Sequence, residues 1–420
     1  MGKIDPLYQA KSWGDRTANL RILAELRANE PICFNRKDGY IDLWHITRHA
    51  DIFEVEKNTD SFIVAPRMVL MPTEREERLR EFTGGTVHII KSLVSIDKPE
   101  HPPLRMLTQG WFMPKNLARL QGAMDASADT ALERLAAAGG VCDFAQDIAL
   151  EYPLRVIMAA MGIPSDDYPK MLKLTQELFS PEDPDVSADE KTQEEVTAGI
   201  INTFMEFYAY FTALTADRKA RPRDDLASVI ANAEIDGEPI GEAEQLGYYI
   251  ITATAGHDTT SFSLSEAIWH LAQNPDVLAE LKADPDAMAP KIVEESIRLA
   301  SPVRHFLRTA TEDIRIGGHQ FHAGDTLMLW FPSGSRDEAV FHDPDTFNPH
   351  RDLSTRHASF GHGAHICLGM HLARQENAAF LKQLAARVKS IELTDAPEFN
   401  HSHFVGGIKH LPVKMELETA

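Results

Sequence analysis

Apolar residues recur at three- and four-residue intervals over 117–135, 199–213, 243–273 and 371–388, with polar and charged residues between them. That spacing gives each segment one apolar stripe and predicts helices that bury the stripe in a shared core. Strand-like patterns are few and short: 41–44, 314–316 ahead of a Gly317-Gly318 turn, 326–330 and 391–393. The expected fold class is mainly α with small β-sheets, an α+β layout. An acidic stretch containing prolines, 180–195, reads as an exposed loop between helices. No Gly/Ser-rich or Pro-rich linker and no internal repeat divides the chain, so residues 1–420 are expected to form a single domain.

Composition narrows the class. With 43% hydrophobic and 25% charged residues among 420, the chain can bury a large core and is not disordered. Cys33, Cys142 and Cys367 are odd in number and widely spaced, which reads as reduced thiols in a cytoplasmic protein. The opening Met1-Gly2-Lys3-Ile4-Asp5-Pro6 has no apolar run, so neither signal peptide nor membrane anchor is expected. A net charge of −21 argues against nucleic acid or an anionic membrane as partner.

The chemistry concentrates in Phe360-Gly361-His362-Gly363-Ala364-His365-Ile366-Cys367-Leu368-Gly369, a glycine-rich loop ending in one thiol just before a helix-forming segment. Glycines on both sides let the backbone approach a flat ligand, and helix N–H groups aimed at the sulfur favour thiolate. A thiolate with one open side suits haem iron, where it promotes O–O cleavage. Other readings compete. A dinucleotide-binding GxGxxG loop needs Gly where Ile366 stands and a preceding strand that the pattern lacks. His362, His365, Cys367 and His371 form a compact cluster of zinc-ligand types, although such sites mostly use pairs of cysteines. A buried, inert Cys is a third option.

A second constellation, Ala255-Gly256-His257-Asp258-Thr259-Thr260, lies mid-way along the apolar segment 246–272. Polar interruptions, Glu266 among them, make this a buried helix rather than a membrane span. Gly followed by adjacent Thr residues, whose hydroxyls bond carbonyls one turn back, predicts a bend there, either a plain kink or a groove. Glu295-Ser296-Ile297-Arg298 puts a carboxylate and a guanidinium on one helix face. Glu77/Arg80 and Glu312/Arg315 share that spacing, so it decides nothing by itself.

The Cys loop resembles the haem-binding signature of cytochromes P450, Phe-Gly-x-Gly-x-His/Arg-x-Cys-x-Gly, at every specified position. The other stretches follow in that family's order: Glu295 stands 37 residues after Asp258 and 72 before Cys367, with Phe347-Asn348-Pro349-His350-Arg351 between. The resemblance covers residues 18–420 and implies the cytochrome P450 fold, with haem b (iron protoporphyrin IX) as cofactor. Cys367 would ligate the iron, and Phe360, Gly361 and Gly369 would shape the loop around the sulfur. His101 and Arg105, similar to an HxxxR pair opening a helix, would reach the haem propionates together with Arg308 and His365. The groove opposite Ala255 and Gly256 would hold dioxygen; Thr259 would hydrogen-bond it, and Asp258 would relay protons from solvent. Glu295, Arg298 and Arg351 would form a buried structural network.

Val94, Phe179, Ala255, Thr259, Val303, Phe306 and Phe404 match substrate-pocket positions of the family, and ordinary core packing is the alternative for each. Residues 252–260 and 404–407 are most similar to the bacterial type that hydroxylates α-terpineol, which implies a compact, uncharged substrate. The implied function is a haem-thiolate monooxygenase that uses O₂ to hydroxylate a small neutral hydrophobic molecule, a monoterpenoid or an aromatic hydrocarbon. With no flavin or ferredoxin domain expected, electrons would come from a ferredoxin and its NAD(P)H-dependent reductase, docking on Lys115, Arg119 and Arg374. A haem-thiolate peroxygenase would not need Asp258 and Thr259, and a haem or zinc sensor would need neither those residues nor an apolar pocket.

Overall fold

The computed structural model describes residues 3–179 and 192–418, apart from the side chains of Phe179 and Gln193. Residues 180–191 of the expected loop lie outside the described residues. The end of that stretch begins a helix instead. The Thr192 hydroxyl accepts from the Glu195 amide and the Glu195 carboxylate accepts from the Thr192 amide, a reciprocal cap that starts Gln193–Ala220.

The main sheet is built from β1 (Ile32–Asn35), β2 (Leu43–Ile46), β3 (Phe62–Ile63), β4 (His305–Ala310) and β5 (Thr326–Trp330), in the order β1-β2-β5-β4-β3. β1 and β2 are antiparallel, β2 runs parallel to β5, and β5 pairs antiparallel with β4, setting Met328 opposite Leu307. The strand expected at 41–44 begins later because Asp42 is held by Arg36, which keeps it in the turn rather than the ladder. β4 was missed by the periodicity because its interior positions include His305 and Arg308, both buried. The expected strand at 314–316 is the first half of a hairpin with His319–Phe321. The one at 391–393 extends to Val388–Leu393 and pairs with Pro412–Leu417, which pairs on its other side with Val141–Asp143.

Helices that carry or support the site are α1 (His49–Lys57), α2 (His101–Gln109), α3 (Glu151–Met161), α4 (Glu242–Ala255), α5 (Asp258–Gln273), α6 (Pro285–Ala300) and α7 (Met370–Arg387). The expected helix at 243–273 is thus two helices that meet at Gly256 and His257. α5, α6 and α7 bury Leu264, Ile268, Ile292, Ile297, Phe380 and Leu384 in one core. At about 1.5–3 kcal/mol for each large apolar side chain, this packing outweighs any helix propensity lost at the break. Among the described residues, no helix is long and apolar enough to cross a membrane.

The Glu295 network forms as expected. Arg298 donates to both Glu295 oxygens at 2.7 and 2.8 Å, and Arg351 and the Asn348 amide donate to Oε1 at 3.2 and 3.1 Å. The remaining guanidinium donors reach backbone carbonyls: Arg298 those of Ser335 and Pro344, Arg351 those of His342, Asp343 and Thr346. Burial alone would raise the Glu295 pKa; the bonds from Arg298 lead those that overcome it and hold it below the ordinary value.

Candidate active site

The Cys loop is shaped by what passes beneath it. Gly363 has φ +66, and a Cβ there would overlap the Glu56 carbonyl at the end of α1, so only glycine fits. The Cys367 amide donates to the Phe360 carbonyl at 2.9 Å, and Arg105 on α2 donates to the Ile366 carbonyl at 2.8 Å. Arg374 lies over the Phe360 ring, 4.4 Å from its centroid, and grips Glu294 through two bonds of 2.6 and 2.7 Å. Burial would raise Glu294, but the bonds from Arg374 and His357 bring it down to about 2. Cys367 lines a cavity and is exposed there. Burial pushes its thiol above the ordinary value, opposed by the Gly369 amide, Arg105, Arg374 and the Met370 amide.

The cavity that the sulfur faces has a volume of about 210 Å³. Of the sequence-derived residues, Val94, Ala255, Gly256, Thr259, Val303, Phe306, Phe360, Gly361, His365 and Gly369 line it. Phe404 does not; its ring stands behind Phe306, 5.6 Å away between centroids. The Phe179 side chain lies outside the described residues.

At one side of the cavity, basic groups gather. The His101 and His365 rings lie 4.2 Å apart, and Arg105 and Arg308 act on His365 strongly enough that, after burial itself, they and His101 hold it down to about 3. His101 is buried and its Nε2 has no hydrogen-bond partner. Two carboxylates act on this group, Asp97 on His101 and Arg308, and Glu56 on Arg308. Glu56 accepts from Arg308 at 3.2 Å and from the His362 amide at 2.6 Å, with burial pushing its pKa up to about 7. Sequence reasoning missed Glu56. Its signal was a carboxylate placed beside Val55 and one turn after Ile52 on the buried face of α1.

Across the cavity, the junction of α4 and α5 presents the second constellation. Gly256 is closely packed: a Cβ would come within 3.0 Å of Ile157 on α3 and 3.2 Å of the Thr252 carbonyl. The Thr259 hydroxyl donates to the Ala255 carbonyl at 3.0 Å, the back-bond expected of a hydroxyl in a bent helix. Asp258 is buried; its Oδ1 is 3.3 Å from His257 Nδ1 and its Oδ2 has no partner. Burial raises its pKa, with His257 opposing. His257, also buried, bonds the Leu150 carbonyl through Nε2 and the Thr175 hydroxyl through Nδ1, so it braces the junction against two other elements.

No group of ligand-type residues in position to hold a metal by themselves occurs among the described residues, which counts against the zinc reading. A family model described as Cytochrome P450 matches residues 166–415. The chain belongs to the cytochrome P450 family. This P450 is 41% identical over 393 residues to cytochrome P450-terp from a Pseudomonas species, covering 93% of this chain and 91% of that one. It is 30% identical to linalool 8-monooxygenase from Pseudomonas putida, covering 93% and 94%. The solved structure of CYP108D1 from Novosphingobium aromaticivorans superposes with a TM-score of 0.92 at 40% identity, covering 99% of this chain and 98% of that one. It is a haem b enzyme of the monooxygenase type.

The residues present fit that cofactor. Two guanidiniums, Arg105 and Arg308, and two imidazoles, His101 and His365, gather here, and one buried imidazole nitrogen is orphaned, as expected where two propionates would accept hydrogen bonds. Cys367 supplies one sulfur to the cavity that Thr259 also lines, with the Gly369 and Met370 amides turned toward it.

Proposed function

We propose that this P450 hydroxylates a small neutral terpenoid or aromatic hydrocarbon, with Cys367 as iron ligand and His101, Arg105, Arg308 and His365 on the propionates. The supporting observation is the cavity wall. Leu93, Val94, Ile251, Val303 and Phe306 are apolar, and the only cation among the described lining residues, Arg105, belongs to the propionate group. Glu376, also on the wall, has its pKa pushed well above the ordinary value by burial. Desolvating a carboxylate substrate here would cost several kcal/mol without a partner, whereas each buried CH₂ of a neutral ligand gains about 0.8 kcal/mol. The name of linalool 8-monooxygenase, a relative acting on a neutral terpene alcohol, points the same way.

Bound haem supplies the redox chemistry of O₂. The chain supplies geometry and a proton path: Thr259 stands at the groove with a donor that can turn from the Ala255 carbonyl to an incoming oxygen, and Asp258 next to it in the chain offers a carboxyl with one oxygen unpaired as the relay. Electrons come from a ferredoxin and its NAD(P)H-dependent reductase. Of the three cations suggested for docking, Arg374 is engaged by Glu294 and Arg119 by Asp224, so Lys115, which is exposed, carries most of that role.

Two measurements test this reading. Neutral monoterpenoids and small aromatic hydrocarbons should shift the ferric Soret band to shorter wavelength on titration, and carboxylic acids of matched size should not; tighter binding by the acids would refute the neutral-substrate class. Thr259→Ala should divert most reducing equivalents to hydrogen peroxide while NADH consumption continues, and Asp258→Asn should slow consumption itself. Full coupling of NADH to product in Thr259→Ala would remove Thr259 from the proposed role.

A further inference from the structure

The cavity face of the α4–α5 junction carries four hydroxyls: Thr252, Thr259, Thr260 and Ser263. Three return to the helix. Thr259 donates to Ala255 at 3.0 Å, Thr260 to Gly256 at 3.4 Å and Ser263 to Thr259 at 2.8 Å, each to the carbonyl one turn back. Thr254, on the far side of α4, does the same with Ile250 at 2.7 Å. Among the described residues, the Thr252 hydroxyl makes no such bond and no other hydrogen bond within the protein. A hydroxyl in mid-helix ordinarily back-bonds because that bond is always in reach. One that stands unpaired in an apolar chamber, beside Ile251 and facing the space lined by Leu93, Val94, Val303 and Phe306, is available to a ligand.

We infer that Thr252 is the specificity-determining anchor of this P450, holding the single oxygen of a neutral alcohol or ketone substrate by one hydrogen bond. The inference rests on the function proposed above and names its substrate class more closely: an oxygenated hydrocarbon rather than a bare one. It also fixes orientation. Thr252 and Thr259 are seven residues apart, roughly 10 Å along a helix axis at 1.5 Å per residue. That is about the length of a ten-carbon terpenoid. A substrate tethered at Thr252 therefore turns its opposite, hydrocarbon end toward Thr259 and the iron side, and the C–H attacked lies at the end remote from the substrate's own oxygen.

The holoenzyme is titrated with skeleton-matched pairs, a monoterpene alcohol and the hydrocarbon lacking its hydroxyl, with affinity read by calorimetry and by the ferric spin-state change. The wild type should prefer the alcohol. Thr252→Val, near-isosteric but without the hydroxyl, should weaken the alcohol by about five- to tenfold, the worth of one neutral hydrogen bond, and leave the hydrocarbon equal or tighter. Thr252→Ser should recover most of the loss. Product analysis should show remote hydroxylation in the wild type and a wider spread of positions in Thr252→Val. If the alcohol binds the wild type and Thr252→Val equally, the anchor is refuted while the neutral-substrate reading stands. If the wild type takes neither member of any pair, both fail. Retention of the carbonyl Soret band in each variant shows that folding and haem are intact.

Discussion

Cys367→His is expected to bind haem yet lose the far red-shifted Soret band of the ferrous carbonyl complex. That band requires sulfur ligation, and no other thiol is placed to provide it. Cys33 lies in β1 with burial pushing its pKa up to about 11, and Cys142 lies in the small sheet, pushed up to about 12 by burial. Both are therefore thiols at neutral pH, remote in the fold from the cavity that Cys367 faces. Cys142→Ser should keep the band unchanged. The measurement is one spectrum per variant after dithionite and CO. An unaltered band in Cys367→His, or its loss in Cys142→Ser, would overturn the assignment of the iron ligand.

Glu295→Gln should cost about 3–5 kcal/mol of stability, the range for removing one partner from a buried ion pair. The substitution keeps the shape of the side chain while leaving Arg298, wholly buried, and Arg351 without their shared counter-charge. Those two guanidiniums hold the carbonyls of Ser335, Pro344, Asp343 and Thr346, the segment that leads into the Cys loop, so haem should be lost along with stability. Urea titration followed at the Soret band and by far-ultraviolet circular dichroism reads both effects. Asp224→Asn is the control: it removes the partner of Arg119, but that pair is exposed at both ends, and the loss should stay below about 1 kcal/mol. A cost below about 1 kcal/mol for Glu295→Gln as well would show that the network is not structural.

Much of the site was legible because its residues carry their reason locally. Gly361, Gly363 and Cys367 fall within one short loop whose glycines signal a close backbone approach and whose thiol is a candidate ligand, and Asp258 and Thr259 sit on a helix whose Gly and Thr announce a bend. The ambiguous Glu-x-x-Arg was settled by partners distant in the chain. Arg80 and Arg315 of the competing matches turn to the carbonyls of Gly85 and Gly318, whereas Arg298 and Arg351 converge on Glu295. Phe404 shows the reverse case: its matching position suggested the cavity, but it is not among the residues that line it and its ring packs against Phe306.

What the sequence determined by itself is the helical class, the short strands with clean patterns, the thiol that faces the cavity and the break in the long helix, because each follows from spacing along one segment. The tertiary structure alone decided β4, whose buried His305 and Arg308 spoil any apolar pattern, and the pairing of Arg308 with Glu56 across 252 residues of chain, which lets that charge be buried. It alone decided which hydroxyls on one helix face are spent on the backbone and which one, Thr252, is left for a ligand. Those outcomes depend on where rotamers, carbonyls and charges from separate segments meet, and no periodicity along a single segment records that.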